Sequence, residues 1–198
     1  MTVAAIVLAA GRSTRAGKTN KLTAPVAGVP MVARAVDAVL ASVARPVIVV
    51  TGHEAEKVRA ALAGRDVCFV HNPDYAEGIS TSIRAGIGAL PADISAALVC
   101  LGDMPALTAA DLGRLMDAFA AGGAAICVPV AGGRRGNPAL FAREMFAALM
   151  ALSGDEGARR LIAAHPEKLR EVPLDGPGTL TDLDTEAEID AYNRTQNQ

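Results

Sequence analysis

A loop rich in glycine and basic residues follows the first apolar run of the chain. The stretch VLAAGRSTRAGKTNKL, residues 7–22, places five residues between Gly11 and the Gly-Lys-Thr that begins at Gly17. A phosphate-binding P-loop has four residues there, and its lysine, here Lys18, would hold the β- and γ-phosphates. Two interpretations follow. The loop is either a P-loop with one extra residue, typical of an NTP hydrolase or kinase, or a different phosphate loop that uses Lys21.

The residues that follow disfavour the P-loop. A P-loop works because a helix begins at its Gly-Lys-Thr and presents free N–H groups to the phosphates. Pro25, Gly28 and Pro30 come soon afterwards, and proline removes a donor and disfavours helical backbone before it. We therefore expect a long loop, hinged at glycines, whose N–H groups and basic side chains surround a triphosphate.

Aspartates stand where two other segments end. Asp103 follows the apolar run AALVCL, residues 96–101, so its carboxylate should lie at the carboxyl end of a strand. Asp182 and Asp184 precede Thr185, which together with Glu188 should cap the start of a helix. Aspartates are also common turn and cap residues, so residue type alone does not assign them to a metal site.

The elements that position these residues alternate along the chain. Near-continuous apolar runs predict strands buried on both faces, at residues 3–8, 46–51, 66–71, 96–101 and 125–130. Helical periodicity at 31–42 and 108–122 separates them. Strands that alternate with helices predict an α/β fold of three layers, doubly wound around a mostly parallel sheet. A Gly-Gly turn within 130–141 predicts an antiparallel hairpin addition, and residues 179–192 predict a short strand before a helix.

Composition limits the function classes. The 198 residues are 51% hydrophobic with a net charge of −2, which predicts a single domain over 1–198 without a basic face for nucleic acid or lipid. Cys68, Cys100 and Cys127 lie in separate apolar runs, so we expect core cysteines in a reducing compartment. No apolar run is long enough to span a membrane, and the interpretation is a cytoplasmic protein.

Six segments in one order resemble the MobA-like nucleotidyltransferases, and most closely the molybdenum cofactor cytidylyltransferases. They are LAAGRSTRAGKTNKL (8–22), HNPDYAEGISTSI (71–83), LGDMP (101–105), RGNPALF (135–141), GDEGARRLI (154–162) and DLDT (182–185). Ala16 departs from the methionine usual in the family. The resemblance covers nearly the whole chain and implies a Rossmann-like fold of the nucleotide-diphospho-sugar transferase type.

The resemblance implies catalytic roles for Lys21, Arg15 and Asp103. Lys21 and Arg15 would contact the phosphates, and Lys18 would be peripheral. Asp103 and Asp184 would hold Mg²⁺ or Mn²⁺, with Asp182 as the competitor of Asp184. Two protein oxygens, completed by water and phosphate, suit either ion.

The resemblance also implies a nucleotide-binding set: Ala9, Ala10, Gly11, Arg12, Ser13, Gly78 and Ser82. The LAAG sequence resembles cytidylyl enzymes, whereas guanylyl relatives have Leu-Ala-Gly-Gly, and an alanine methyl leaves less room for a purine. Ser82 matches a serine near the pyrimidine, but it could equally cap a helix start. The acceptor would bind at Arg135, Gly136, Asn137 and Pro138, with further basic residues in GDEGARR.

The sequence therefore predicts a nucleotidyltransferase that moves CMP from CTP to the terminal phosphate of Mo-bearing molybdopterin and releases pyrophosphate. A GTP-using guanylyltransferase and an enzyme acting on another phosphorylated acceptor stay open. A non-catalytic cofactor carrier is less favoured, because a carrier needs no metal carboxylates. CTP and molybdopterin are the expected partners, and the family suggests a molybdoenzyme insertion chaperone as a further one.

Overall fold

The apolar runs assemble into a central sheet with helices on both faces. The computed structural model describes residues 1–12, 20–155, 157–174, 177–179, 181, 183 and 185–196. The strands are β1 (Val3–Ala9), β2 (Pro25–Val26), β3 (Val29–Pro30), β4 (Val47–Thr51), β5 (Cys68–His71), β6 (Ala96–Leu101), β7 (Ile126–Ala131), β8 (Arg134–Arg135), β9 (Ala139–Ala142) and β10 (Leu169–Pro173). The α-helices are α1 (Met31–Leu40), α2 (Ala55–Ala61), α3 (Ile79–Gly88), α4 (Ala109–Ala120), α5 (Phe146–Met150), α6 (Arg159–Ala164) and α7 (Glu186–Gln196).

The main sheet has the order β10-β7-β9-β6-β1-β4-β5, and β8 pairs with β7. Strand β1 pairs in parallel with β4 and β6, while β9 is antiparallel to both β6 and β7. The predicted mostly parallel sheet with an antiparallel addition is therefore confirmed. β2 and β3 form a separate small hairpin.

Strand β1 shows why this sheet is covered on both faces. All seven of its residues are buried. Ala5 and Val7 belong to one core cluster with residues of α1, α2 and α4, whereas Ile6 and Leu8 belong to a second cluster with residues of α3, α5 and α6. Since successive strand residues point to opposite faces, an uninterrupted apolar run fills both layers.

Two helix starts follow the local signals in the sequence. Thr108 Oγ1 accepts a hydrogen bond from Asp111 N at 3.2 Å, and Asp111 Oδ2 accepts one from Thr108 N at 3.1 Å. Thr185 and Glu188 form the same reciprocal pair before α7. Each pair satisfies backbone donors that the first turn of a helix leaves without partners, and the predicted cap at Thr185 is confirmed.

The last helix, α7, packs against the β2–β3 hairpin near the start of the chain. Val26, Met31, Leu183 and Ile189 form a small buried cluster there. The side chain of Asn193 joins the same two segments, because its Oδ1 accepts from Ala27 N at 2.8 Å. The hairpin that follows the first loop is thus held by the end of the chain.

Two expectations about elements are wrong, and one strand was not predicted. β5 is an edge strand, so it is not buried on both faces, and Cys68 is exposed while Cys100 and Cys127 are buried. Instead of a strand, residues Pro177–Thr179 form a 3₁₀ turn. The final strand of the sheet is β10, which the sequence did not reveal because its residues are mostly half-buried or exposed.

No helix of the described residues is long and apolar enough to cross a membrane.

Candidate active site

A cavity of about 480 Å³ opens where β1 and β6 end. This is the edge of a parallel sheet at which loops from neighbouring strands meet. Its lining comes from the ends of β1 and β6, from the segments that follow β1, β5 and β6, from the start of α3 and from the segment before α6. The lining residues are Leu8, Ala10, Gly11, Arg12, Lys21, Leu22, Tyr75, Ala76, Gly78, Ile79, Ser82, Leu101, Asp103 and Asp155.

Lys21 and Asp103 meet inside this cavity. Lys21 Nζ lies 2.6 Å from Asp103 Oδ2, and the two side chains are only 13% and 18% exposed. Lys21 begins a single 3₁₀ turn, Lys21–Thr23, in which Leu22 is buried. The backbone N–H of Leu22 donates a hydrogen bond to the side chain of Asn20. The backbone after this turn enters the β2–β3 hairpin, with α1 beginning only at Met31. The P-loop interpretation, which requires a helix directly after the loop, is therefore wrong.

The second oxygen of Asp103 has a different environment. Oδ1 is buried and has no hydrogen-bond partner among the described residues. A buried carboxylate oxygen without a partner is costly, and cations relieve that cost. Carboxylate oxygen is also the donor that Mg²⁺ and Mn²⁺ prefer, so Asp103 fits a divalent cation at Oδ1.

The predicted second metal ligand cannot be placed. Asp184 and its competitor Asp182 lie outside the described residues. Leu183, between them in sequence, donates its backbone N–H to Asp103 O at 3.2 Å. Within the described part of the chain, no three His, Cys, Asp or Glu side chains cluster as a metal site.

Most of the predicted nucleotide-binding residues come together. Ala10, Gly11, Arg12, Gly78 and Ser82 all line the cavity. Ala9 is the last residue of β1, is buried, and is not among the lining residues. The predictions for Ser13, Arg15 and Lys18 fall on residues outside the described ranges.

Ser82 is not a helix cap. Helix α3 begins at Ile79 after Gly78, so Ser82 lies one turn inside it, where it is buried. Its Oγ accepts a hydrogen bond at 3.0 Å from the side chain of Asn72. The capping alternative is therefore wrong, and the position of Ser82 on the cavity wall leaves the prediction of nucleotide binding in place.

Asp155 is a cavity residue that the sequence did not reveal. Its Oδ1 accepts from Ile79 N at 3.2 Å, and Gly154 O accepts from Ser80 N at 3.3 Å, so this segment covers the N-terminus of α3. Gly78 has φ +117°, and a Cβ there would lie 2.6 Å from the backbone of Gly154. The close approach depends on a glycine. Asp155 lies in GDEGARRLI, one of the six segments that carry the family resemblance, but only the basic residues of that segment were predicted to take part.

Tyr75 is a second residue that sequence reasoning missed. A Cβ on Gly52 would lie 2.7 Å from Tyr75 Cβ and 2.9 Å from Ala10 Cβ. Gly52 therefore lets Tyr75 and Ala10 pack together at the cavity wall.

The predicted acceptor residues lie together in the segment between β7 and β9. Strand β9 begins opposite Val99 of β6, so Asn137 and Pro138, which precede it, lie at the edge where β6 ends. Asn137 N donates to Thr179 O at 2.9 Å and Gly136 N to Pro129 O at 2.9 Å. These residues do not line the described cavity.

Arg135 has a protein partner. Its Nε lies 2.6 Å from Glu171 Oε1, and both side chains are about half exposed. An exposed ion pair contributes little to stability, so this pair leaves the guanidinium accessible to a competing anion.

Comparison with known proteins places the chain among nucleotide-transferring enzymes. The profile of the MobA-like NTP transferase domain matches residues 5–169. The bifunctional protein GlmU of Kineococcus radiotolerans is 41% identical over 128 residues, which are 63% of this chain and 26% of that protein. The chain thus spans about a quarter of the length of the curated relatives it matches.

Solved structures match nearly the whole chain. Rv0371c of Mycobacterium tuberculosis H37Rv superimposes with a TM-score of 0.85 at 29% identity, covering 100% of this chain and 99% of that one. The complex of Rv0371c with manganese superimposes with a TM-score of 0.84 at 27% identity, covering 98% of this chain and 100% of that one. A nucleotidyl transferase from Methanothermobacter superimposes with a TM-score of 0.84 at 28% identity, covering 98% of this chain and 99% of that one. These likenesses confirm the predicted fold.

Proposed function

Because this chain belongs to the family of MobA-like NTP transferase domains, we propose that it transfers CMP from CTP to the terminal phosphate of Mo-bearing molybdopterin and releases pyrophosphate. The observation that carries the proposal is the arrangement of Lys21 and Asp103 in one cavity, with Asp103 Oδ1 buried and without a partner. A basic side chain beside a carboxylate that fits a cation is the arrangement that transfer between phosphates requires.

The reaction exchanges one P–O bond for another. An oxygen of the acceptor phosphate attacks the α-phosphorus of the NTP, and the bond from that phosphorus to the bridging oxygen breaks, so pyrophosphate leaves with the electron pair. Lys21 and Arg12 provide positive charge at the cavity wall, where the phosphates carry negative charge. Arg15, outside the described residues, is proposed to assist them.

Asp103 is proposed to hold Mg²⁺ or Mn²⁺ through Oδ1, with Asp184 as the second ligand. The ion, when bound, neutralises phosphate charge and favours attack at phosphorus. The manganese complex of Rv0371c, a protein 27% identical to this chain, supports the use of a divalent ion.

Local packing supports CTP over GTP. Ala10 lines the cavity, and its methyl group lies close to Gly52, beside Tyr75. A glycine at this position would leave room for a larger base, as in the guanylyl relatives. The extra methyl group of alanine reduces that room, which favours a pyrimidine over a purine. Asn137, Pro138, Gly136 and Arg135 are proposed to bind the acceptor beside the cavity, and Arg135 would exchange Glu171 for the acceptor phosphate.

One titration tests the nucleotide choice. Calorimetry of each common NTP with Mg²⁺ should show tightest binding for CTP. Pyrophosphate should then appear only when CTP, Mg²⁺ and molybdopterin are all present. Tightest binding of GTP would favour a guanylyltransferase, and release with a sugar phosphate instead of molybdopterin would assign another acceptor. Binding of molybdopterin without any release of pyrophosphate would favour a cofactor carrier.

A further inference from the structure

Asn72 connects the end of β5 to helix α3. The residue is buried, and its backbone N–H donates to Thr51 O at 2.7 Å. Its side-chain amide reaches two hydroxyl groups of α3, those of Thr81 and Ser82, at 2.8 and 3.0 Å. Because Ser82 lines the cavity, Asn72 contacts the cavity wall from behind.

The amide of Asn72 can adopt only one orientation. Asn72 Oδ1 lies 3.0 Å from the backbone N of Asp74, and a backbone N–H can only donate. That contact fixes the carbonyl end, so the nitrogen end must face Thr81 and Ser82. Both hydrogens of the amide nitrogen are therefore donated to hydroxyl oxygens.

The two hydroxyl groups differ in what they do with their own hydrogens. Thr81 Oγ1 lies 2.8 Å from Gly78 O and 3.1 Å from Asp74 O, so its hydrogen is accepted within the protein. Ser82 Oγ accepts from Asn72, and among the described residues no group accepts its hydrogen. The Ser82 hydroxyl consequently has a donor to offer to the cavity.

We propose that Asn72 is a positioning residue that fixes the Ser82 hydroxyl as a hydrogen-bond donor toward the nucleobase. The site then favours a base that presents an acceptor at this point, such as the carbonyl oxygen or the unprotonated ring nitrogen of cytosine. This inference rests on the proposed function, in that it assumes an NTP occupies the cavity. It adds a determinant of base choice that does not touch the base itself.

Asn72→Asp tests the proposal by reversing one hydrogen bond. The new side chain has nearly the same shape as asparagine, and one of its oxygens still accepts from Asp74 N. When the carboxylate is ionised it has no hydrogen to donate, so its other oxygen can only accept a hydrogen bond from Ser82. The Ser82 hydrogen would turn away from the cavity and leave an oxygen facing an acceptor on the base. At alkaline pH, calorimetry with Mg²⁺ and CTP should show affinity about tenfold weaker, the scale of one lost hydrogen bond.

The double variant separates this role from a general structural one. Ser82→Ala should weaken CTP binding by a similar factor, and Asn72→Asp combined with Ser82→Ala should bind no more weakly than Ser82→Ala alone. That non-additivity is expected because the effect of Asn72 passes through Ser82. Mg²⁺ with pyrophosphate, which lacks a base, should bind all variants as it binds the wild type.

Asn193→Asp is the matched control. Asn193 Oδ1 also accepts from a backbone N–H, that of Ala27, and its Nδ2 donates to Pro25 O at 3.2 Å, but it lies outside the cavity lining. The CTP affinity of Asn193→Asp should not change.

Three outcomes would each overturn the role of Asn72. They are CTP affinity within twofold of wild type in Asn72→Asp, additive losses in the double variant, and a loss of pyrophosphate binding that parallels the loss of CTP binding. A wild-type protein that binds pyrophosphate but no NTP would refute the proposed function itself, and this role with it.

Discussion

Lys21 Nζ and Asp103 Oδ2 lie 2.6 Å apart, although the two residues are separated by 82 positions in the chain. Each was predicted to contact a different part of the substrate complex, Lys21 the phosphates and Asp103 the cation. In the structure each is the partner of the other, and both are largely buried. The pair holds the two side chains in the cavity without leaving either charge alone, and Asp103 Oδ1 is the carboxylate oxygen that this contact does not use.

Lys21→Ala should reduce kcat/KM sharply. Loss of a positioned charge in a water-poor site weakens transition-state stabilisation by about 2–4 kcal/mol. Lys18→Ala, in the same loop, should cost under about 1 kcal/mol if Lys18 is solvated. Steady-state kinetics with CTP and the phosphorylated acceptor measures both. The opposite ranking of the two lysines would assign phosphate binding to Lys18.

Asp103→Asn should leave the fold intact and lower turnover by about a hundredfold or more, because the amide keeps the shape but loses the charge that would hold the cation. Asp37→Asn is the control: Asp37 also pairs with a basic side chain, that of Arg65 at 2.7 Å, but on the surface. It should turn over like the wild type. If Asp103→Asn kept near-normal turnover and the same Mg²⁺ dependence, Asp103 would not belong to the site.

Gly78→Ala should destabilise the protein and weaken CTP binding. The new Cβ would lie 2.6 Å from Gly154 and 2.9 Å from Asp155 Oδ1, at a φ of +117° that side chains rarely adopt. A cost of about 1–3 kcal/mol in the free energy of unfolding is expected. Gly113→Ala, inside α4 with nothing within 4 Å, should instead stabilise by roughly 0.5–1 kcal/mol. Urea unfolding of both variants gives the comparison, and equal effects would contradict the packing argument.

The thiols should differ in reactivity. Burial raises the pKa of the Cys100 thiol to about 12 and also raises the pKa of Cys127, which disfavours their reactive thiolates. Cys68 is exposed on the edge strand. A thiol reagent such as dithionitrobenzoate should modify Cys68 alone in the folded protein, and all three cysteines in denaturant. Rapid modification of Cys100 in the folded protein would show that the β6 core opens readily.

The burial of Cys100 also predicts how the free energy of unfolding depends on pH in the alkaline range. The folded-state pKa of Cys100 is raised from 9.0 to about 12, so its contribution is fully present below pH 9.0. Above that pH the unfolded chain releases the proton first, and the free energy of unfolding falls as the pH rises toward the folded value. Cys100→Ala, compared with wild type by urea unfolding across this range, should flatten the decline. An equal slope in both proteins would assign it to other groups.

The buried parts of the fold were readable from the sequence because their signals are local. Apolar runs at β1, β4, β6 and β7 reflect strands covered on both faces, and the Thr108 cap depends on residues three positions apart. The edge of the sheet was less readable. β5 and β10 both expose part of their residues. The apolar run at β5 therefore predicted more burial than the strand has, and β10 has no continuous apolar run that would predict a strand.

The candidate site was readable only in part. Residues in the loops after β1 and β6 could be expected at the crevice, because the topology of a parallel sheet brings those loops together. Asp155 and Asn72 could not, since their roles depend on contacts with the start of α3 that no spacing encodes. The pairing of Lys21 with Asp103 was likewise invisible, because each was assigned a substrate partner rather than the other.

The contacts that α7 and its preceding segment make have a consequence for synthesis on the ribosome. Asn193 bonds the hairpin after the first loop, and Leu183 bonds the backbone of Asp103. Both contacts join late-synthesised residues to segments made much earlier. Because Leu183 contacts Asp103, we expect a nascent chain stalled before this residue to hold a formed sheet yet lack a finished catalytic edge, so that nucleotide capture begins only once translation has passed it.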